Sequence, residues 1–348
     1  MKGIEIPLLI RQTLTLAVCL LRVLCLSAQP LVYTHMDAFD GLSSNQIHSI
    51  LQLPDGRMAF ITPNAVNLYD GSRFRYWPIE PADTCVLADY YGACHAYAEG
   101  DSLLWVKHKH RLCCLDLKRG KYRPQPELLF LQDGMKENVT DFFLDSNGNR
   151  WLVTRKGVWD VKGKRLFALS QKANLQDIMV DEAHAYFFFG NGTVTCYHRR
   201  NAQRLYTQAA YPEAESLIYA RTSLVVKGTD GNFYQLRCGR ESVCLSFNPH
   251  TRQWKRLLHS RETLHTLVTP NDSTAYISCG KGLWKIHLKQ DSAEYCPSVE
   301  ISEGGSVVAD HLYVERCQPS AHHLPPQGCV QGDAEKPQVP FHCGGREK

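Results

Sequence analysis

Residues 141–161 read Asp141-Phe-Phe-Leu-Asp145-Ser-Asn-Gly148-Asn-Arg150-Trp-Leu-Val-Thr154-Arg-Lys-Gly157-Val-Trp-Asp-Val161. The polar turn Asp145-Ser-Asn-Gly148 separates one apolar run from a second at 150–154, and a short polar break leads to a third at 157–161. Aromatic and β-branched residues fill the runs and Gly, Asn and Asp punctuate them, which predicts antiparallel strands joined by tight turns. The order recurs. Second strands are predicted at 57–62, 102–107, 150–154, 185–189, 223–227 and 274–278. Their turns centre near Asp55, Gly100, Asn147, Glu182, Thr222 and Asp272, at intervals of 45, 47, 35, 40 and 50 residues. Third strands follow at 65–69, 111–115, 157–161, 193–197, 232–237 and 282–288. No stretch sustains a 3.6-residue apolar period, so helix is a minor component.

Four short strands in about forty residues is the size of a propeller blade. One such sheet cannot bury both faces, whereas sheets stacked around an axis cover one another. The expected fold is therefore an all-β β-propeller with six recognisable blades. A seventh would open at Asp310-His-Leu-Tyr-Val-Glu-Arg316. A pair of β-sandwiches is the alternative, disfavoured because the strand order recurs so regularly.

Composition agrees with a globular chain. Of 348 residues, 44% are hydrophobic and 21% charged, which excludes wholesale disorder. A net charge of +4 is too weak to argue for nucleic acid. No apolar run reaches the ~20 residues of a membrane-spanning helix. Residues 1–28 read as an export signal: Lys2 and Arg11 precede a mostly apolar 13–26, and Leu26-Ser27-Ala28 offers a cleavage point. Export leaves 12 of the 14 cysteines, after Cys19 and Cys25, in an oxidising compartment. Cys238 and Cys244 flank a short turn and are the expected disulfide, while adjacent Cys113 and Cys114 point to opposite faces of a strand.

Gly41-Leu-Ser-Ser-Asn-Gln-Ile-His-Ser-Ile50, Pro54-Asp-Gly56, Phe60-Ile-Thr62 and Asn67-Leu-Tyr-Asp70 closely resemble the two-component regulator propeller repeat. Asp145–Gly148, Trp151, Thr154 and Gly157-Val-Trp159 match it again, and Gly280-Lys-Gly-Leu-Trp284 is similar to its Gly-Leu element. The resemblance spans roughly residues 31–316. It implies the periplasmic sensor region of a Bacteroidetes hybrid two-component system, in which propellers precede a membrane helix, a histidine kinase and an output module. It also implies an oligosaccharide ligand, control of glycan-utilisation genes and a homodimer. The kinase and output machinery is not in this chain, and no cofactor is expected. The propeller is expected over 29–316. From Cys317 onward, five prolines, three cysteines and no run of β-formers predict a non-propeller tail over 317–348 of frame-altered origin.

Ligand residues are sought at the turns. Those between first and second strands are acidic: Asp55, Glu99, Asp101, Asp145, Asp181, Glu182 and Asp272, with Arg57 and Arg221 as exceptions. Those between second and third strands carry Lys107, Lys109, Arg111, Arg155, Lys156, Lys227 and Lys281 beside His108 and His110, against Asp230. The chain would be electrically polarised, with a cationic end suited to a uronate-bearing or sulfated glycan, although Lys and Arg also simply solubilise loops. Trp105 and Trp151, equivalent in successive repeats, are expected between sheets, and Tyr76 and Trp77 are the candidates for stacking a sugar. His108 and His110 lack a third ligand and carry no expected metal. Asn138, Asn191 and Asn271 open glycosylation sequons that a bacterial origin would leave idle. No nucleophile elbow, zinc motif or phosphate loop is present, so a non-enzymatic recognition module is expected. An exported polysaccharide lyase or glycoside hydrolase is the alternative, since two carboxylates can escape a motif search.

Overall fold

In the computed structural model the described residues are 36–90, 94–169, 173–280, 282–297, 300–301 and 305–306. The expected signal (1–28) and tail (317–348), the 310–316 strand and Lys281 lie outside them. Six sheets of four or five strands follow one another, and a two-stranded pair, Glu300–Ile301 with Gly305–Ser306, comes after them. Sheet 1 holds β1 (Ser49–Gln52), β2 (Met58–Ile61), β3 (Ala65–Tyr69) and β4 (Phe74–Pro78). Sheet 2 holds β5 (Thr84–Val86), β6 (His95–Glu99), β7 (Leu103–His108), β8 (Arg111–Asp116) and β9 (Lys121–Tyr122); β5 and β9 both pair with β8 as its outer neighbours. Sheet 3 holds β10 (Asp141–Leu144), β11 (Arg150–Thr154), β12 (Gly157–Asp160) and β13 (Arg165–Phe167). Sheet 4 holds β14 (Leu175–Val180), β15 (His184–Phe189), β16 (Thr193–His198) and β17 (Arg204–Ala209). Sheet 5 holds β18 (Thr222–Lys227), β19 (Phe233–Cys238), β20 (Ser242–Asn248) and β21 (Gln253–Ser260). Sheet 6 holds β22 (Leu264–Val268), β23 (Thr274–Cys279), β24 (Gly282–His287) and β25 (Ser292–Pro297). Pairing is antiparallel between neighbours throughout. The sole α-helix among the described residues is α1 (Glu127–Gln132), between sheets 2 and 3. The all-β propeller is thus present.

Both faces of each second strand must be covered, which explains why these strands are apolar without alternation. In sheet 1, Ala59 and Ile61 pack with Val66 and Leu68 against Leu104 and Val106 of sheet 2, while Met58 and Phe60 face Leu42 and Ile47. Four further clusters join sheets 2 to 3, 3 to 4, 4 to 5 and 5 to 6. Among the described residues no such cluster joins sheet 6 to sheet 1. Trp105 and Trp151 are fully buried in the sheet 2–3 and 3–4 cores, as expected from their equivalent positions. Each indole N–H also donates to a carboxylate six residues upstream, Trp105 to Glu99 at 2.7 Å and Trp151 to Asp145 at 3.0 Å. Gly157 and Gly282 open their third strands where a fourth-strand carbonyl, of Phe167 and of Cys296, occupies the place a Cβ would take. The Gly-Leu element of the repeat is therefore a backbone close approach.

Two expectations are corrected. In sheet 5, 223–227 lies in the first strand and 232–237 in the second. The Asp230-Gly231 turn, with Gly231 at φ 82°, is that sheet's first-to-second turn, one strand later than the spacing suggested. Cys238 and Cys244 are both free and buried. The β19–β20 turn holds three residues, so Cys238 pairs with Ser242 and Cys244 with Leu236. Such diagonal neighbours are about 7–8 Å apart, beyond disulfide reach. The Cys238 thiol instead donates to the Leu264 carbonyl at 2.9 Å.

Candidate functional site

With this strand order, first-to-second and third-to-fourth turns share one end of the barrel of sheets, here the lower. Second-to-third turns and the connections between sheets share the upper. The acids of the lower end are not a free acidic rim. Asp145 accepts from the Trp151 indole, Asp181 from the Tyr186 hydroxyl at 2.9 Å, and Asp230 from the Tyr234 hydroxyl at 2.6 Å. Third-to-fourth turns add cations to that same end, among them Lys118, paired with Asp101 at 3.1 Å, and Lys289, paired with Asp272 at 2.8 Å. The expected end-to-end polarisation is therefore largely cancelled.

The expected cationic residues separate. Lys107 is no rim residue: it is 1% exposed, facing sheet 3, with Nζ 2.9 Å from Asp141 Oδ1 and 3.7 Å above the Phe143 ring. Burial pushes the pKa of Lys107 down against the pull of Asp141, and pushes that of Asp141 up. Lys227 closes the first strand of sheet 5 and so stands at the lower end, donating to the Val180 carbonyl at 3.2 Å. Arg155 and Lys156 form the upper turn of sheet 3, where Lys156 binds Glu137 at 2.5 Å. Trp77 is half-buried against sheet 2, its Nε1–H donating to the Gly120 carbonyl at 2.7 Å.

Lys109 and Arg111 are brought together, whereas Tyr76 stands on the face of sheet 1 turned away from sheet 2. Two cavities at the upper end share Pro63 and Asn64, and sheet 2 lines only one of them. One, about 200 Å³, is lined by Ser43, Ser44 and Tyr76, a residue 55% exposed. The other, about 150 Å³, is lined by Glu80, Thr84, His108, Lys109 and Arg111. Arg111, an exposed residue, donates from Nη1 to Thr84 Oγ1 at 2.8 Å. Ser43 is fixed by its backbone N–H to Asn67 Oδ1 at 2.8 Å and by its hydroxyl to Thr62 at 2.9 Å. Lys109 and His110 form a two-residue turn at φ 49° and 60°, a left-handed pair that side chains rarely adopt. This turn projects Lys109 beside His108. His108 Nε2 lies 3.0 Å from His48 Nδ1, and burial, His48 and Lys109 push His108 down to about 4. Burial and Lys109 likewise lower His48. Among the described residues no group of three His, Cys, Asp or Glu side chains could hold a metal ion.

In the cavity between sheets 1 and 2 the two cations, the Thr84 hydroxyl and the Asn64 amide can neutralise an acidic substituent and bond sugar hydroxyls, while the Tyr76 ring belongs to the other cavity. Glu80 is the one carboxylate in the lining. Sequence reading missed a second feature: Asp177, in the inner strand of sheet 4, is 6% exposed and accepts from the backbone N–H of Ile178 at 2.9 Å. Burial pushes its pKa up to about 7. An Asp inside the run Leu175-Gln-Asp-Ile-Met-Val180 was the available signal.

No family model matches the chain, and no curated protein matches it. Among solved structures it is similar to the extracellular domain of the putative hybrid two-component system BT3049 from B. thetaiotaomicron. That match has a TM-score of 0.56 at 16% identity, covering 82% of this chain and 39% of that one. Two structures of the extracellular domain of BT4673 from the same organism, described as a putative one-component and a putative hybrid two-component system, give TM-scores of 0.55 and 0.54 at 13% and 12% identity. At these identities the likeness shows the propeller fold. The chain spans about two-fifths of the length of these domains. No helix among the described residues is long and apolar enough to cross a membrane.

Proposed function

We propose that this chain is the ligand-recognition propeller of an exported hybrid two-component sensor, binding an oligosaccharide with acidic substituents in the upper cleft of sheets 1 and 2. The observation that carries the reading is the convergence of Lys109 and Arg111 with Thr84 and Asn64 in one cavity. The repeat resembles that of periplasmic glycan sensors, and the fold is that of extracellular sensor domains. The cleft favours binding over cleavage, because glycoside hydrolysis ordinarily uses two carboxylates across the scissile bond and this lining contributes Glu80 alone. Calorimetric titration with uronate-bearing and neutral oligosaccharides of equal length tests the reading. The acidic series should bind more tightly and lose about tenfold with Arg111→Gln, the worth of one charge-assisted hydrogen bond. Equal affinity for both series, or indifference to Arg111→Gln, refutes it.

A further inference from the structure

On the other face of β4 from Tyr76 lies a separate groove. Arg73, Arg75 and Trp77 follow at two-residue spacing, so they share the face turned toward sheet 2. Opposite them, the turn between β8 and β9 presents Lys118, Arg119 and Gly120. The space between is about 360 Å³. Its floor is the Trp77 indole, anchored to the Gly120 carbonyl, with Gly120 at φ 62° allowing the turn to lie against the ring.

The cations around this floor are unequally engaged. Arg57 is held by Asp55 at 2.6 Å and Lys118 by Asp101 at 3.1 Å. Arg73 comes only within 3.5 Å of Asp70, and Arg119 within 3.9 Å of Asp116. Arg75 has no hydrogen bond or ion pair among the described residues. Asp70, the carboxylate in the lining, already accepts from Ser72 Oγ at 2.8 Å and from the Ser72 and Arg73 N–H groups at 3.0 Å each. Three guanidinium forks thus enter a concave space with most of their N–H donors uncommitted. A guanidinium matches the paired oxygens of a tetrahedral anion better than an ammonium does. The strand spacing sets Arg73 and Arg75 about 7 Å apart along the groove.

We infer that this groove binds a ring-shaped polyol carrying two or more tetrahedral anionic esters, sulfate or phosphate, with the ring on Trp77 and the esters on Arg73, Arg75 and Arg119. The site is independent of the upper cleft and does not need it to be a glycan site.

Calorimetry on the whole chain at low salt would use sucrose octasulfate and inositol hexakisphosphate, with sucrose and inositol as the unsubstituted counterparts. One or both esters should bind with an affinity that falls as salt rises, and which of them binds identifies the ester. Neither unsubstituted polyol should bind. Arg75→Gln should weaken the interaction at least tenfold, and Arg73→Gln with Arg75→Gln should abolish it; both positions are exposed, so the variants stay folded. Binding of neither ester overturns the inference. So does binding that falls with Arg111→Gln but not with Arg75→Gln, which would assign the anion to the upper cleft.

Discussion

Replacing Asp177 with Asn should change how the stability of this protein depends on pH. Asp177 is buried in β14, and the nearest cation, Lys107, gives its direct contact to Asp141 at 2.9 Å. One ammonium is thus shared between two carboxylates, and Asp177 takes the lesser share. Desolvation then dominates and raises its pKa from 3.8 to about 7, with Asp141 adding repulsion. The groups around it do not reverse this: the Tyr97 hydroxyl is buried without a hydrogen-bond partner among the described residues, and Val225 N–H approaches only to 3.4 Å. The sign follows by linkage. The folded state holds the proton more tightly than the unfolded chain, so no stability is lost below about pH 4. Stability then falls as pH rises toward 7 and levels off above it. Full ionisation costs on the order of 4 kcal/mol, at about 1.4 kcal/mol for each tenfold difference in proton affinity. Asn keeps an acceptor for Ile178 N–H and does not titrate. Urea unfolding of the native and Asp177→Asn proteins at pH 5 and pH 8 is the assay, since all other titrations are common to both. The variant should gain about 3 kcal/mol on the native protein between these two pH values. Parallel pH profiles would refute the reasoning and place Asp177 in contact with a full countercharge.

Three further outcomes are expected. Lys107→Met at pH 7 leaves Asp141 without its cation and should cost about 3–5 kcal/mol in urea unfolding, much of it restored by adding Asp141→Asn. Arg237, 1% exposed, donates to the carbonyls of Phe189 at 3.1 Å, Gly190 and Tyr219 at 3.0 Å, latching sheet 5 to a turn of sheet 4; Arg237→Met should cost about 3 kcal/mol, read the same way. Because Cys238 and Cys244 are unpaired, thiol titration of the denatured, non-reduced protein should count both, and reductant should leave the thermal midpoint unchanged unless they are bridged.

The fold was legible because the blades repeat a local order of polar turn and apolar strand buried on both faces, sharpened by an Asp-Gly or Asn-Gly turn in sheets 1, 3 and 5 and by a glycine where the fourth strand's carbonyl passes in sheets 3 and 6. That signal says where turns are, and it does not by itself say which turn. In sheet 5 the first and second strands, Thr222–Lys227 and Phe233–Cys238, are both apolar runs flanked by polar turns, so the spacing fitted either assignment. The error moved Lys227 to the wrong end of the molecule and stretched a three-residue turn into one that seemed to face Cys238 with Cys244. Lys107 failed for a related reason. A lysine at the end of a predicted strand reads as the start of a loop, and only Asp141, on the inner strand of the next sheet, explains its burial.

The site divides at a finer level still, between adjacent residues. Tyr76 and Trp77 were read as equivalent stacking candidates because both are aromatic and both lie near the exit of sheet 1. A strand turns consecutive side chains to opposite faces, so the two could never share a ligand. Which face meets sheet 2 depends on the Gly120 carbonyl, 43 residues away, capturing the Trp77 N–H, and on the Tyr122 hydroxyl donating to the Trp77 carbonyl at 2.9 Å. Those contacts commit Trp77 to the floor of the cationic groove and leave Tyr76 to the opposite face, in the cavity with Ser43 and Ser44. Composition supplied the right residue types for polar-ligand binding. The alternation of a single edge strand sorts its two rings into different surroundings, Tyr76 beside Ser43, Ser44 and Thr62, and Trp77 beneath guanidinium groups.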